Sequence, residues 1–255
     1  MTGRDFVEVP AMGLELYLDL LSQPCRAVYI FAKKNGIPFE LRTVDLLKGQ
    51  HLTKDFTQVN SLQRVPTLKD GDFILTESVA ILIYLSTKYK TADHWYPPDP
   101  SIRARIHEYL GWHGDCIRGT FGVSLWVKAI IPLSELQIPE EKVERNKAAM
   151  DKALQKLEDF FLGNKAFLAS QEVTLADLMA LEELTQPLAV GYDLFAGHPK
   201  LKAWHKRVEN FLGAELCQEA HGPISNIMQQ VANKAIPPPP PEFYPNMLLR
   251  IARIP

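Results

Sequence analysis

Polar and apolar residues alternate through residues 15–20 (ELYLDL), the period-two pattern of a strand with one buried face. The period then changes. Ala27, Val28, Ile30 and Phe31 recur at helical spacing within residues 26–35, and Gly36 comes next, where a helix C-cap belongs. Residues 39–45 (FELRTVD) read as a second strand, so two strands enclose one helix in a βαβ unit. Pro66-Thr67-Leu68 opens a third strand, Asp70-Gly71-Asp72 turns the chain, and residues 73–75 return as the fourth. Thr76-Glu77-Ser78 then leads into a helix over 79–88, and one irregular helical stretch separates the second and third strands.

That order of elements is thioredoxin-like and closes near Tyr89. Residues 91–100 carry Pro97, Pro98 and Pro100 beside Asp93 and Asp99, the composition of a linker. Beyond it the sequence carries no strand pattern. Helical periodicity covers 103–131 up to Pro132, then 140–162, 174–189, 200–212 and 214–232. The expected architecture is an α/β thioredoxin-like domain over 12–90 and an all-α domain over 101–236. Residues 1–11 read as a disordered extension. Pro237 to Pro241 form a stiff connector that delivers an amphipathic segment, 246–253 (NMLLRIAR), back to the body. Within 173–178 (VTLADL), Thr174 and Asp177 have capping-box spacing, and Val173 with Leu178 forms the accompanying staple. That motif marks where a buried helix begins.

Composition narrows the function. The 255 residues carry a net charge of −2, with 46% hydrophobic and 23% charged residues. Such a balance gives no broad electrostatic reason to bind nucleic acid or an anionic membrane. Cys25, Cys116 and Cys217 are scattered and odd in number, which argues against a disulfide framework or a zinc site and fits a reducing compartment. The longest continuous apolar run, 79–85, is far too short for a bilayer, and the first residues lack the apolar core of a signal peptide. A cytosolic protein is expected, with the nucleus as a second compartment.

Chemistry concentrates at three turns. Ser22-Gln23-Pro24-Cys25-Arg26 joins the first strand to the first helix, where a hydroxyl beside helix amides can hold an anion. A thiol has a pKa near ~8.5, and lowering it by about two units stabilises the thiolate by roughly 2.7 kcal/mol. A hydroxyl donor with the helix dipole is of that size. An ordinary N-cap serine would look the same at this level. Cys25 offers a lone nucleophile, and its partner position in a Cys-x-x-Cys pair is taken by Ser22, so dithiol exchange has no second thiol. Val65-Pro66 stands at a strand start in either isomer, and Glu77-Ser78 opens a second helix as a carboxylate site or as plain caps. His51, Lys48 and Arg64 add positive charge. Arg103, Arg105 and Arg118 lie on the long helix, where an outer charged face is the simplest account and Asp115 with Arg118 has the spacing of a surface pair.

Together these residues resemble the glutathione transferase family, from Met12 to Pro255. The segments MGLELYLDLLSQPCRAVYIFAKKNGIPFE, VDLLKGQH, VPTLKDGDFILTES and VTLADL are similar to its theta class. HEYLGWHGDCIRGTFG, GAELCQEAH and MLLRIARIP narrow the resemblance to one mammalian subtype of that class. The resemblance implies a homodimer with glutathione as co-substrate and no metal. Ser22 falls on the catalytic serine. His51, Leu52, Arg64, Val65, Glu77, Ser78, Asp115 and Arg118 fall on glutathione contacts, beside an expected cis Pro66. Trp126 and Arg250 fall on the electrophile pocket, which implies conjugation of haloalkanes and sulfate esters and reduction of organic hydroperoxides. Arg64 stands where the family usually has lysine. A transferase-like scaffold that binds without turnover is the alternative.

Overall fold

The computed structural model describes residues 13–239 and 243–254. The expected N-terminal extension and the second half of the five-proline run fall outside them. Four strands, β1 (Glu15–Leu18), β2 (Glu40–Thr43), β3 (Thr67–Asp70) and β4 (Phe73–Thr76), form one sheet in the order β2-β1-β3-β4. β1 runs parallel to β2 with Leu16 opposite Leu41, and antiparallel to β3 with Leu16 opposite Leu68. The alternation in β1 works as expected: Leu16 and Leu18 turn inward and are fully enclosed.

Helix α1 (Gln23–Lys34) begins three residues earlier than its apolar period suggests, because Pro24 suits a helix's first turn. Every residue from Gln23 to Ala32 is buried. An amphipathic stripe predicts one covered face; α1 is covered all round. The short α2 (Lys54–Val59) fills the irregular stretch between β2 and β3, with Thr53 as its N-cap. α1 packs on β1 and α3 (Ser78–Lys88), and on its other side against α6 (Leu175–Ala189) and α8 (Ala214–Ser225). One apolar core therefore runs from Leu16 and Phe31 through Tyr109 to Leu184 and Trp204, continuous from sheet to helices. Even the proline-rich 91–100 stretch takes part, since Trp95 is buried between Phe31 and Phe211.

The long helix α4 runs Pro100–Leu133, with Asp99 accepting hydrogen bonds from the Ser101 and Ile102 amides, both at 2.9 Å. By length and apolarity it meets the requirement for a bilayer span, although no continuous apolar run announces it. Its residues Ile106, Tyr109, Ile117 and Phe121 belong to the core instead. Two π-turns, His113–Ile117 and Trp126–Ile130, interrupt its regular winding. Each inserts a residue into the turn and rotates the residues after it, a device that re-aims side chains.

Among the remaining helices, α5 (Glu140–Lys156) continues through a π-turn at Leu157–Leu162, and α7 spans Pro199–Leu212. The region expected as one helix over 214–232 divides at Asn226 into α8 and α9 (Ile227–Ala232). The capping box is present: Thr174 Oγ1 accepts from Ala176 N at 3.2 Å, and Asp177 accepts from Thr174 N at 2.9 Å. Asp177 does more than cap. Its second oxygen accepts from Leu168 N and Trp204 Nε1, both at 2.8 Å, which ties α7 to the start of α6. Last, α10 (Tyr244–Ala252) lays Met247 and Ile251 on Ile131, and Lys142 Nζ donates to the carbonyls of Ala252 (3.0 Å) and Ile254 (2.7 Å).

Candidate active site

A cavity of ≈ 530 Å³ lies between the C-terminal ends of the sheet, α4 and α10. It brings together eight of the expected residues: Ser22, His51, Leu52, Arg64, Val65, Arg118, Trp126 and Arg250. Glu77, Ser78 and Asp115 do not line it. Asp115 is exposed on the first π-turn. Glu77 (φ 65°) and Ser78 sit at the mouth of α3. They are nonetheless close to the cavity's edge by register. Thr67 pairs with Thr76 in the antiparallel β3–β4 ladder, so the next residues outward are Pro66 and Val65 on one strand and Glu77 and Ser78 on the other. The Val65-Pro66 bond is cis.

Ser22 has extended geometry, φ −89° and ψ 125°, and its hydroxyl makes no cap bond to α1. An ordinary N-cap serine would spend its oxygen on the second or third helix amide. Here it makes no such bond, and Ser22 lines the cavity. The turn around it is built by groups that the sequence pattern does not single out. Asp19 accepts from the amides of Leu21 and Leu46, both at 2.9 Å, and so fixes the turn to the loop that leads to His51. Arg26, fully buried, donates through Nη1 to the carbonyls of Leu20 (3.0 Å) and Leu21 (3.2 Å). Its Nε meets Glu182 at 2.7 Å and its Nη2 meets Gln186 at 3.0 Å. His221 holds the other oxygen of Glu182 at 2.9 Å. Burial alone would raise the Glu182 pKa, but His221 and Arg26 outweigh it and the carboxyl is held below its usual range.

Cys25 is excluded as the nucleophile. It is wholly enclosed, and burial pushes its thiol up to about 12, against hydrogen bonding from the Asp19 backbone and Ser22.

Arg118 is no partner of Asp115. Its Nη1 lies 3.0 Å from Glu183 on α6, whose other oxygen accepts from Gln23 Nε2 at 3.0 Å. Arg103 and Arg105 do keep to the outside, the first stacked on Tyr96 and the second paired with Glu108. Lys48 likewise pairs with Asp45 on the surface. Arg118 follows directly on the first π-turn, whereas Arg103 and Arg105 lie in the regular winding before it.

His51 presents Nδ1 without a hydrogen-bond partner among the described residues, and burial together with Arg250 pushes its pKa down. The ring is therefore neutral near pH 7 and can donate or accept. Asn60 Nδ2 and Thr67 Oγ1 both donate to the Arg64 carbonyl, at 2.9 and 2.8 Å, which fixes the backbone at Arg64-Val65. At the cavity's far wall the Arg250 guanidinium stacks 4.8 Å above the Trp126 ring. Solvent reaches Arg250 through the open cleft, yet protein crowds its remaining sides. Burial, Arg118 and Arg64 bring its pKa to about 10, so it stays cationic at neutral pH. None of the described residues that line the cavity is acidic. Among the described residues no group of His, Cys, Asp and Glu could hold a metal ion.

A thioredoxin-like sheet joined to a helical half, with a hydroxyl at the first helix and guanidinium groups opposite, defines a protein with a site suited to a small anionic ligand. Family models named glutathione S-transferase, N-terminal domain and C-terminal domain match residues 15–87 and 118–211. The chain belongs to the glutathione S-transferase family. It is 72% identical over 244 residues to human glutathione S-transferase theta-2B, covering 96% of this chain and all of that one. The crystal structure of human glutathione transferase theta-2 with glutathione and an unknown ligand superposes with a TM-score of 0.93 at 71% identity, over 95% of this chain and 100% of that chain. A human theta-class enzyme bound to the glutathione conjugate of 1-menaphthyl sulfate gives the same TM-score at 72% identity, over 96% of this chain and 100% of that one.

Proposed function

We propose that this chain binds glutathione along the outer end of β3, ionises its thiol with Ser22 and conjugates the sulfur to small electrophiles. The observation that carries the reading is Ser22 at the cavity wall, with its hydroxyl capping none of the α1 amides. The glutathione cysteine pairs with the backbone of Val65, and the γ-glutamyl end reaches Glu77 and Ser78, one to two residues beyond the Thr67–Thr76 pair. The opposite end meets His51, whose Nδ1 has no partner among the described residues, with Leu52 beside it and Arg64 adding charge. Asp115 remains an assigned contact without a place in this cavity, and a second subunit is the element that would bring one to it.

Ser22 donates a hydrogen bond to the sulfur, which shifts the thiol toward thiolate and releases its proton to water. The thiolate forms a bond to an electrophilic carbon, and the leaving group departs as an anion with the bonding pair. Arg250, stacked on Trp126, meets that anion, whether sulfate or halide. With an organic hydroperoxide the same thiolate attacks oxygen, and a second glutathione completes the reduction. Ser22→Ala is expected to raise the bound thiol's pKa by about two units and to slow conjugation at neutral pH about 25-fold. Equal rates for parent and variant defeat the serine mechanism.

The working unit is a homodimer in the cytosol, with the nucleus as a second compartment. Exposed Phe73 and Ile74 on the edge strand β4, and Leu62 before β3, are the apolar surface that a second copy would cover. Sedimentation of the parent as a monomer at micromolar concentration removes the dimer. All three cysteines are unpaired, which supports a reducing compartment; cell fractionation that finds the protein in the secretory pathway overturns the localisation.

A further inference from the structure

Glu183 lies on α6 behind the cavity wall, fully buried, and its two oxygens reach opposite sides of the cleft. Oε2 accepts from Gln23 Nε2 at 3.0 Å, and Gln23 is the first residue of α1, directly after Ser22. Oε1 accepts from Arg118 Nη1 at 3.0 Å on α4. One carboxylate thus spans the helix of the serine and the helix of the arginine. Gly122 leaves room for the bridge, because a Cβ there would come within 3.3 Å of Gln23 Nε2.

Among the described residues no other group supplies this anchor. His113 Nε2 stands 3.7 Å from Glu183 Oε1, too far for a hydrogen bond, and burial with Arg118 pushes its pKa down to about 3, so the ring carries no charge. Glu182, next along α6, is already paired with Arg26 and His221. Arg64, Arg118 and Arg250 line the cavity, and no acid does among the described residues. Three guanidiniums around one cleft repel one another, and in a partly desolvated site that repulsion pushes the least anchored one outward. Arg118 keeps about a third of its side chain exposed (35%), so solvent is open to it. The carboxylate behind the wall opposes that escape.

We propose that Glu183 is a positioning residue: it holds the Arg118 guanidinium at a fixed place beside Ser22, with its remaining N–H groups turned to the sulfur of bound glutathione. This rests on the glutathione reading above and extends it, because Arg118 then acts on the sulfur only while Glu183 grips its other edge. A guanidinium can be held on one edge and donate from another; an ammonium offers no such division.

The test is a titration of the thiol of bound glutathione by its ultraviolet thiolate absorbance, with kcat and KM for one electrophile measured beside it. Glu183→Gln is expected to raise the bound thiol's pKa by about one unit and to lower kcat at neutral pH about threefold. KM for the electrophile should stay within about twofold, since the electrophile wall is untouched. Arg118→Ala should give the same rise, and Glu183→Gln added to Arg118→Ala should add nothing. An unshifted thiol in Glu183→Gln overturns the proposal, as does an equal further rise in the double variant. Arg118→Lys guards against a Glu183→Gln protein that does not fold: it should behave as Arg118→Ala does, and a parental thiol pKa in it overturns the proposal too. Ser22→Ala is titrated alongside. No shift in that variant sinks the serine reading and leaves the comparison of Glu183 with Arg118 intact.

Discussion

The two walls of the cavity are held in opposite ways. On the Ser22 side, Arg26, Glu182, Glu183, Gln186 and Gln23 form a buried hydrogen-bonded array with almost every donor matched. On the cover side, α10 rests on Met247 and Ile251, on one lysine at its C-terminal carbonyls, and on Phe243, whose ring lies against Gly49 so closely that a Cβ there would sit 2.0 Å from it. Buried charges are expensive, and their return is position rather than stability. Apolar contacts through two side chains can be made and broken. The physics of each wall suits its partner: one co-substrate of fixed shape on the first, varied electrophiles and departing products on the second.

The largest test of that contrast removes Arg26. Arg26→Met leaves Glu182 buried with only His221 for a partner, and the expected loss of stability is about 3–5 kcal/mol in denaturant unfolding. The activity that survives should fall as well, since the Leu20 and Leu21 carbonyls lose their donor. A loss below about 1 kcal/mol would mean the array does not set the first wall.

Acid sharpens the same contrast by a smaller amount. The His113 pKa is pushed from 6.5 down to about 3 by burial and by Arg118. Between those values the unfolded chain takes up a proton that the folded protein refuses, so stability from this group is full above pH 6.5 and is lost as pH falls toward 3. At pH 5 the loss is about 2 kcal/mol. His113→Gln keeps a partner for the Tyr109 hydroxyl, which His113 Nδ1 meets at 3.0 Å, and removes the titration. Thermal unfolding at pH 8 and pH 5 should then show a smaller acid penalty than the parent. An identical penalty in both proteins would assign the acid sensitivity elsewhere.

Legibility in the sequence divides along the same line. Strand alternation in ELYLDL, the turn at Asp70-Gly71-Asp72 and the capping box at Thr174 are local patterns, and all three appear in the structure. Eight of the expected site residues meet in one cavity because the family resemblance carries their positions. The array behind them has no such guide. Its signal is present in 181–183 (LEE), where two adjacent glutamates stand within a helix that is buried from Leu175 to Pro187. Unless α1 is known to be covered all round, nothing marks Arg26 as their partner, since a cation four residues past a helix start is ordinarily solvated. Arg118 groups with Arg103 and Arg105 in the sequence for a related reason. A π-turn has no periodic signature, so nothing in the spacing marks where the winding of α4 changes, directly before Arg118.

The smallest expected effect on stability is at the cover, and there the readout must be motion. Lys142 Nζ donates to the carbonyls of Ala252 and Ile254 at 3.0 and 2.7 Å, groups that a helix leaves unpaired at its C-terminal end. Lys142→Ala removes a partly solvated charge from a helix terminus, worth about 0.3–1 kcal/mol, so global unfolding should barely move. The helix keeps Met247 and Ile251 on Ile131, but its end is free to lift. Limited proteolysis should therefore cut faster near α10 while the rest of the chain stays resistant. Where release of a bulky conjugate limits turnover, kcat should rise, and the affinity for that product should fall in step. Ser22 and its array are untouched, so the pKa of bound glutathione should match the parent. A Lys142→Ala protein that unfolds as readily as Arg26→Met would place the cover among the rigid parts of the molecule, and the two walls would then differ in composition without differing in what they permit.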